Sequence, residues 1–252
     1  MKKSIIAMAV AGALAVPAIA SADATLYGQF RVGLENVKGS TTNAFDGGNR
    51  IGVKGTVDLG LDSTVGIYQW EAGFAVTGSN SQSADVNTNT VVTSTTSLTQ
   101  RNTFAGATGN WGTLIAGRFD HPTEGIQATT DIGNVKNYRS GTTYSDAGIH
   151  KTVAYVTPSL NGLTATIGGV FAGQPNNTPK ETIDGYNMGV DYSVGGLGLK
   201  AAYGKLNTNN AFGAGEQNKW GLAATYQLDA LKLAADYNSV NVKNGPKDTS
   251  YA

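Results

Sequence analysis

Ser145, Asp146 and His150 lie in one short stretch, and they are the side chains from which a hydrolase builds a nucleophile, an orienting acid and a base. Spacing along a loop fixes no geometry, however, and no nucleophile-elbow motif presents the serine. His121 and His150 are the only histidines and there is no cysteine, which excludes a thiolate metal site and a disulfide framework. Both histidines read as strand-end or loop residues rather than metal ligands, and no cofactor or metal is expected. The N-x-T pattern at Asn176 recurs by chance in a loop this rich in Asn and Thr. A more ordered set of charges remains. Arg50, Lys54, Glu71, Arg101, Asp191 and Lys200 all occupy the polar phase of alternating apolar and polar runs.

Those runs are the elements that position the charges. In "MGVDYSVGGLGLKAAYG" Met188, Val190 and Tyr192 alternate with Gly189, Asp191 and Ser193. After the Gly195–Gly196 turn, Leu197, Leu199, Ala201 and Tyr203 alternate with Gly198, Lys200, Ala202 and Gly204. A period of two is the signature of a strand with one apolar and one polar face, and the pair is a hairpin. "TLYGQFRVGLE" places Leu26, Phe30, Val32 and Leu34 opposite Tyr27, Gln29, Arg31 and Glu35, as one strand. "RIGVKGTVDL" separates Ile51, Val53, Val57 and Leu59 from Arg50, Lys54, Thr56 and Asp58. "WGLAATYQL" and "LKLAADYN" face each other across the turn Asp229-Ala230. Short turns exchange with long polar loops at 38–48, 79–96, 120–148, 173–183 and 207–216. No helical period and no linker appear after the first residues, so the chain reads as one domain.

Composition agrees with an all-β chain. Charged residues make up 14% of the 252, against roughly 25% in an ordinary soluble domain, and 34 glycines are present. Acidic and basic residues balance at 18 each, which points to no nucleic-acid partner. The first residues are an export signal: basic "MKK", an apolar stretch from Ser4 to Val16, then small residues in "PAIASA". Residues 1–22 are assigned to that signal and 23–252 to the β domain. Removing Lys2 and Lys3 leaves 16 basic residues against 18 acidic ones.

A chain of amphipathic hairpins has two solutions. A soluble sandwich buries its apolar face and wets its polar one; an outer-membrane barrel turns the apolar face to lipid and lines its interior with the polar face. Segments of about 9–11 residues suit tilted membrane-crossing strands. Tyr27, Phe30, Tyr192, Tyr203, Tyr226 and Tyr237 sit near strand ends, as interface girdles require. Short turns on one side and long loops on the other complete the pattern. The expectation is a transmembrane antiparallel β-barrel with water inside. The loop at 120–148 is long enough to be functional in its own right. Rings of charged side chains are how pores discriminate solutes, although a charge in a wide pore is more often a solvated wall residue than a selectivity element.

"ATLYGQFRVGLE", "NRIGVKGTVDLG", "YQWE", "RNTFAGATGNWGTLIAGRFD" and "KTVAYVTPSLNGLTATIGGV" together resemble the general diffusion porins of Gram-negative outer membranes. The likeness runs in order over almost the whole chain after the signal. It implies a sixteen-stranded barrel, usually a homotrimer, that passes small hydrophilic solutes and ions and whose third long loop folds inward. Outer-membrane lipid and lipopolysaccharide are then its surroundings. Carried over residue by residue, the family's constriction maps to Arg50, Arg101, Arg118 and Glu71 on the wall, with Glu124 and Asp131 on the third loop. Gln29 stands where the family often has a charge, which removes one pore charge. The loop lacks the "P-E-F-G-G" turn of the enteric branch. Lys54, Asp191 and Lys200 complete the expected lumen lining beside Gln29.

The rival readings are a barrel enzyme with a rim site and a soluble adhesin that binds glycans through its loops. Eleven to twelve strands can be counted up to Ala252, so the resemblance implies further strands beyond that residue. Two A-x-A sites compete for the signal peptidase, Ala18-Ile19-Ala20 and Ala20-Ser21-Ala22. Cleavage after Ala22 is expected, because it leaves "DATLYG" to begin the first strand. Intact mass of the mature protein decides the point: a chain starting at Ser21 shows that the upstream site is used.

Overall fold

The computed structural model describes residues 23–36, 41–77, 98–131, 151–171, 182–207, 216–243 and 247–251. Ser145, Asp146, His150, Asn176, the signal residues and the later part of the 120–148 loop lie outside them. Twelve strands form one antiparallel sheet in chain order: β1 (Asp23–Gln29), β4 (Arg50–Leu61), β5 (Thr64–Gly73), β6 (Thr99–Gly109), β7 (Gly112–Arg118), β8 (Thr152–Val156), β9 (Leu163–Val170), β10 (Gly185–Val194), β11 (Leu197–Leu206), β12 (Gln217–Leu228), β13 (Leu231–Val242) and β14 (Lys247–Tyr251). Each pairs with the next, and short reversals such as Asp229-Ala230 sit at one end. Asp229 takes φ 50° there, a left-handed conformation that aspartate tolerates better than most residues.

Burial is inverted relative to a soluble protein. Leu26 is 74% exposed, and Trp70, Leu114, Ile167, Leu222 and Leu233 are exposed with it. Glu71, Asn187, Lys219, Asp236 and Asn238 are buried. An exposed apolar face joined to a buried polar one is the informative departure from the usual rule. It is stable only if hydrocarbon covers the outside and the polar groups find partners or water inside. No helix among the described residues is long and apolar enough to cross a membrane. This chain crosses with strands.

Two regions depart from the sequence reading: the stretch from Thr25 to Gly48, and Pro122–Gln127, a short helix at the start of the expected third loop where the sequence shows no helical period. The run from Thr25 to Glu35 is not one strand but β1 followed by β2 (Val32–Glu35). The expected polar loop at 38–48 contains β3 (Asn43–Asp46), which pairs only with β2 as a separate ribbon. The Asn49 side-chain oxygen accepts the Arg31 N–H, and Gly47 N–H donates to the Arg31 carbonyl. Those bonds take Arg31 out of the ladder with β4 and redirect the chain. The period of two survives the break, so alternation alone could not show it.

Asp46 fastens this ribbon to the end of β5. Its carboxylate accepts from Asn49 Nδ2, from the Val76 and Thr77 amides, and from the Thr77 hydroxyl. Burial raises its pKa, but the hydrogen bonds from Thr77, Val76 and Asn49 together outweigh it and hold the carboxyl below its ordinary value. A depressed carboxyl stabilises the fold above the unfolded pKa, and that contribution disappears as pH falls through the folded value. Asp46→Ala should therefore speed hydrogen exchange of the Val76 and Thr77 amides at neutral pH. In the parent protein the same amides should lose protection only on acidification below the usual carboxylate range. Equal protection in parent and variant would show that the ribbon is held by other contacts.

Candidate functional site

The densest cluster of charge lies on the polar face of β1, β4, β5 and β6. Glu71 in β5 is its centre, with a side chain only 4% exposed. Arg101 Nε donates to one carboxylate oxygen at 2.8 Å, Tyr27 donates its hydroxyl to the other at 3.0 Å, and Arg50 Nε stands 3.9 Å away. Arg50 also donates to Gln29 Oε1 at 2.9 Å, while Gln29 Nε2 donates to the Gly48 carbonyl. Lys54 places its ammonium 5.5 Å from the centre of the Tyr27 ring, a cation–π distance. Two arginines thus flank a single carboxylate, and a lysine stands over the tyrosine that binds it. Arg50, Lys54 and Glu71 border a polar recess of about 310 Å³.

Backbone details explain the convergence. Tyr27, Gly52 and Glu71 fall in one cross-strand row. A Cβ on Gly52 would come within 2.6 Å of the Tyr27 ring, so the missing side chain is what lets Tyr27 reach across β4 to Glu71. Between β5 and β6 the register moves from Trp70↔Thr103 to Ala72↔Gln100, leaving one extra residue on β6. Such a bulge re-aims side chains, and here it brings Arg101 onto Glu71. Arg118 ends β7 opposite Thr103, where it lies in the field of both Arg101 and Asp120. Gly117 just before it has φ 145°, a conformation that glycine adopts without strain.

Other expected residues lie elsewhere on the wall. Asp191 and Lys200 are direct cross-strand partners on β10 and β11, joined by a 3.2 Å ion pair and both about half exposed. Glu124 belongs to α1 (Pro122–Gln127), and Asp131 follows it. This helix packs on β10, β11, β12 and β13. Pro122 lies against Gly189, where a Cβ would stand 2.5 Å from its ring, and Ile126 lies against Gly221, where the distance would be 2.9 Å. Ile126 is buried with Ala202 and Ala223, a small apolar core on the otherwise polar face. The Thr130 hydroxyl donates to the Asp236 carboxylate, whose other oxygen accepts from Asn238 Nδ2. His121 is buried with Nε2 3.3 Å from the Thr152 hydroxyl, a structural contact.

The structure therefore gathers Gln29, Arg50, Lys54, Glu71 and Arg101 into one cluster. It sets Asp191 with Lys200 beneath α1 and carries Glu124 and Asp131 on the segment that begins with α1. Sequence reasoning did not single out Tyr27, Ile126, Thr130, Asp236 or Asn238 as site residues. For Tyr27, Asp236 and Asn238 the signal existed, since each falls on the polar phase of its strand. Nothing in the sequence marked Ile126 or Thr130.

A family model described as Gram-negative porin matches residues 7–252. Major outer membrane protein P.IB of Neisseria gonorrhoeae is 27% identical over 232 residues, covering 81% of this chain and 59% of that protein. The P.IB protein of Neisseria lactamica is also 27% identical, over 96% of this chain and 75% of its own length. This chain thus spans less than two thirds of the gonococcal relative. Among solved structures, an anion-selective porin from Comamonas acidovorans superposes with a TM-score of 0.64 at 17% identity, covering 92% of this chain and 72% of that one. OmpF of Salmonella typhi gives 0.60 at 19%, covering 87% and 66%. At such identities the superpositions establish the fold alone.

Ile126 tests how α1 is held. Ile126→Ala removes methyl groups from a nearly closed contact, a change that costs about 2 kcal/mol at the low end of such substitutions. Hydrogen exchange of the Glu124 and Ala128 amides should then quicken roughly thirtyfold. Unaltered exchange would show that Thr130 and Asp236 suffice to hold the helix.

Proposed function

The chain belongs to the Gram-negative porin family, and on that premise we propose that the protein is a water-filled channel for passive diffusion of small hydrophilic solutes and ions. It resides in the outer membrane, which it reaches by export with the leader at 1–22 removed. The observation that carries the reading is the inverted burial: apolar residues outside, and Glu71, Lys219 and Asp236 on the face turned away from lipid. The protein transports and does not catalyse, and it works as a homotrimer surrounded by outer-membrane lipid and lipopolysaccharide.

In this reading the Glu71 cluster is one side of the constriction. Arg50, Lys54 and Arg101 exceed Glu71 in charge, so the local field favours anions. The segment at about 120–148 supplies the other side, with Glu124 and Asp131 setting negative charge across the passage and α1 holding its near end to the wall. Opposed charges across a narrow aqueous gap sort ions by field rather than by tight binding. Arg118 extends the basic side. Asp191 and Lys200 compensate each other and line the passage without biasing it.

A unit charge about 7 Å from a passing ion in a water-like dielectric contributes ~0.6 kcal/mol, roughly threefold in that ion's local concentration. Each arginine acts on both ion signs in opposite directions, so Arg50→Gln with Arg101→Gln should move the anion-to-cation permeability ratio toward cations by on the order of fiftyfold at low salt, and by less as salt screens the charges. Reversal potential in a salt gradient across planar bilayers, on the full-length protein, reads this directly. An unchanged reversal potential removes these arginines from the constriction, and absence of conductance in the parent protein removes the channel.

A further inference from the structure

Glu71 has two diagonal neighbours on β4, and it pairs with only one of them. Glu71 stands directly opposite Gly52, which places Arg50 and Lys54 on either side of that row and on the same face of the wall. Diagonal neighbours across two strands are roughly 7–8 Å apart, within reach of a long side chain. Arg50 uses that reach and brings Nε to 3.9 Å from Glu71 Oε2. Lys54 does not. It makes no ion pair among the described residues and remains exposed. An ammonium this close to a carboxylate needs a reason to stay away from it.

Tyr27 supplies the reason. It faces Gly52 from the other side, in β1. Its side chain crosses β4 in the space that a Cβ on Gly52 would need, 2.6 Å from the ring carbon Cζ and from the hydroxyl oxygen. The ring therefore lies in the gap between the positions of Arg50 and Lys54. At its far end the hydroxyl donates to Glu71 Oε2 at 3.0 Å, and Arg101 Nε donates to Oε1 at 2.8 Å. Both carboxylate oxygens thus have donors without Lys54. The lysine is held instead with Nζ 5.5 Å from the centre of the tyrosine ring.

The two ways of holding a lysine differ in what they leave for a solute. A carboxylate cancels the ammonium charge and draws it toward the wall. An aromatic face attracts the ammonium through its quadrupole but carries no net charge, so the full positive charge persists. Tyr27, Arg50, Lys54 and Glu71 all border the polar recess, so a charge kept off Glu71 is a charge presented there. Gly52 is part of the arrangement, because a side chain at that position would displace the ring.

We propose that Tyr27 is a positioning residue of the passage: its ring divides Lys54 from Glu71 and leaves the lysine charge unpaired toward passing solutes, a role that rests on the channel reading above. The two parts of the side chain act separately. The hydroxyl fixes Glu71, and the ring fixes Lys54. Without the ring, Lys54 turns onto Glu71 and its charge withdraws from the passage.

Acetylation of Lys54 by a small water-soluble N-hydroxysuccinimide ester, read by peptide mass spectrometry on the full-length protein in detergent, reports whether the ammonium is free. In Tyr27→Leu it should react about threefold more slowly, the scale of an exposed ion pair. Tyr27→Phe keeps the ring and should react at the parent rate. Adding Glu71→Gln to Tyr27→Leu should restore that rate, which a mere loss of packing would not do. Reversal potentials give a second reading. Lys54→Gln should shift the permeability ratio toward cations about sevenfold at low salt, and Tyr27→Leu about twofold as the charge withdraws from about 7 to about 10 Å. Parent-like reactivity of Lys54 in Tyr27→Leu overturns the proposal. So does faster reaction in Glu71→Gln alone, which needs no change at Tyr27 and would show the lysine already paired in the parent. A reversal potential unmoved by Lys54→Gln overturns the role in the passage and leaves Arg50 and Arg101 in the constriction. A parent protein that does not conduct removes the channel reading, and the role in the passage with it.

Discussion

A strand that crosses hydrocarbon has no water to satisfy its N–H and C=O groups, and each group left without a partner costs several kcal/mol. The whole arrangement follows from this constraint. It forces each spanning segment into an uninterrupted ladder with a neighbour, which is why β4 to β13 pair strictly in chain order. Where a residue leaves the ladder, as Arg31 does, its N–H is met by Asn49, and its carbonyl by Gly47. With the backbone fixed in strands, side chains have only two directions, and the choice of solvent for each direction becomes the fold.

That choice explains why polar residues are buried here without the penalty they would meet in an apolar core. Glu71 is nearly inaccessible, yet its oxygens take hydrogen bonds from Arg101 and Tyr27. Burial of a carboxylate is tolerated where it is paired and hydrogen-bonded, and Glu71 is both. The small residues of the inner face serve a related end. Gly189 and Gly221 leave the space into which Pro122 and Ile126 fit. A helix can lie on this wall because glycines and alanines meet its apolar side, at Gly189, Gly221, Ala202 and Ala223.

The strands were legible because alternation is a local property. Asp191 opposite Lys200 follows from parity and a two-residue turn alone, and the twelfth strand of the sheet appears at Lys247–Tyr251, in agreement with the count of strands in the sequence. What escaped the sequence is nonlocal. The division of the first run into β1 and β2 depends on Asn49, 18 residues from Arg31 in the chain but hydrogen-bonded to it. The bulge at Arg101 depends on a one-residue mismatch between two strands, and neither strand records it by itself. Parity put Arg50, Glu71 and Arg101 on one face. It could not say that they touch.

Their contact changes what the charges can do. A free arginine on a wide wall samples many rotamers and offers a diffuse charge, screened over about 8–10 Å in physiological salt. Arg101 instead is held by Glu71 at 2.8 Å, and Arg50 is tied both toward Glu71 and to Gln29. Glu71 lowers the net charge of the patch, and in exchange it fixes where the remaining charge sits. Gln29 contributes in the same way: a neutral residue where the resemblance leads one to expect a charge, it binds Arg50 through its oxygen and the Gly48 carbonyl through its nitrogen. Preorganised charge needs no rearrangement as a solute passes. A wall built this way favours one ion sign by position, and it does so without holding any ion tightly enough to stop it.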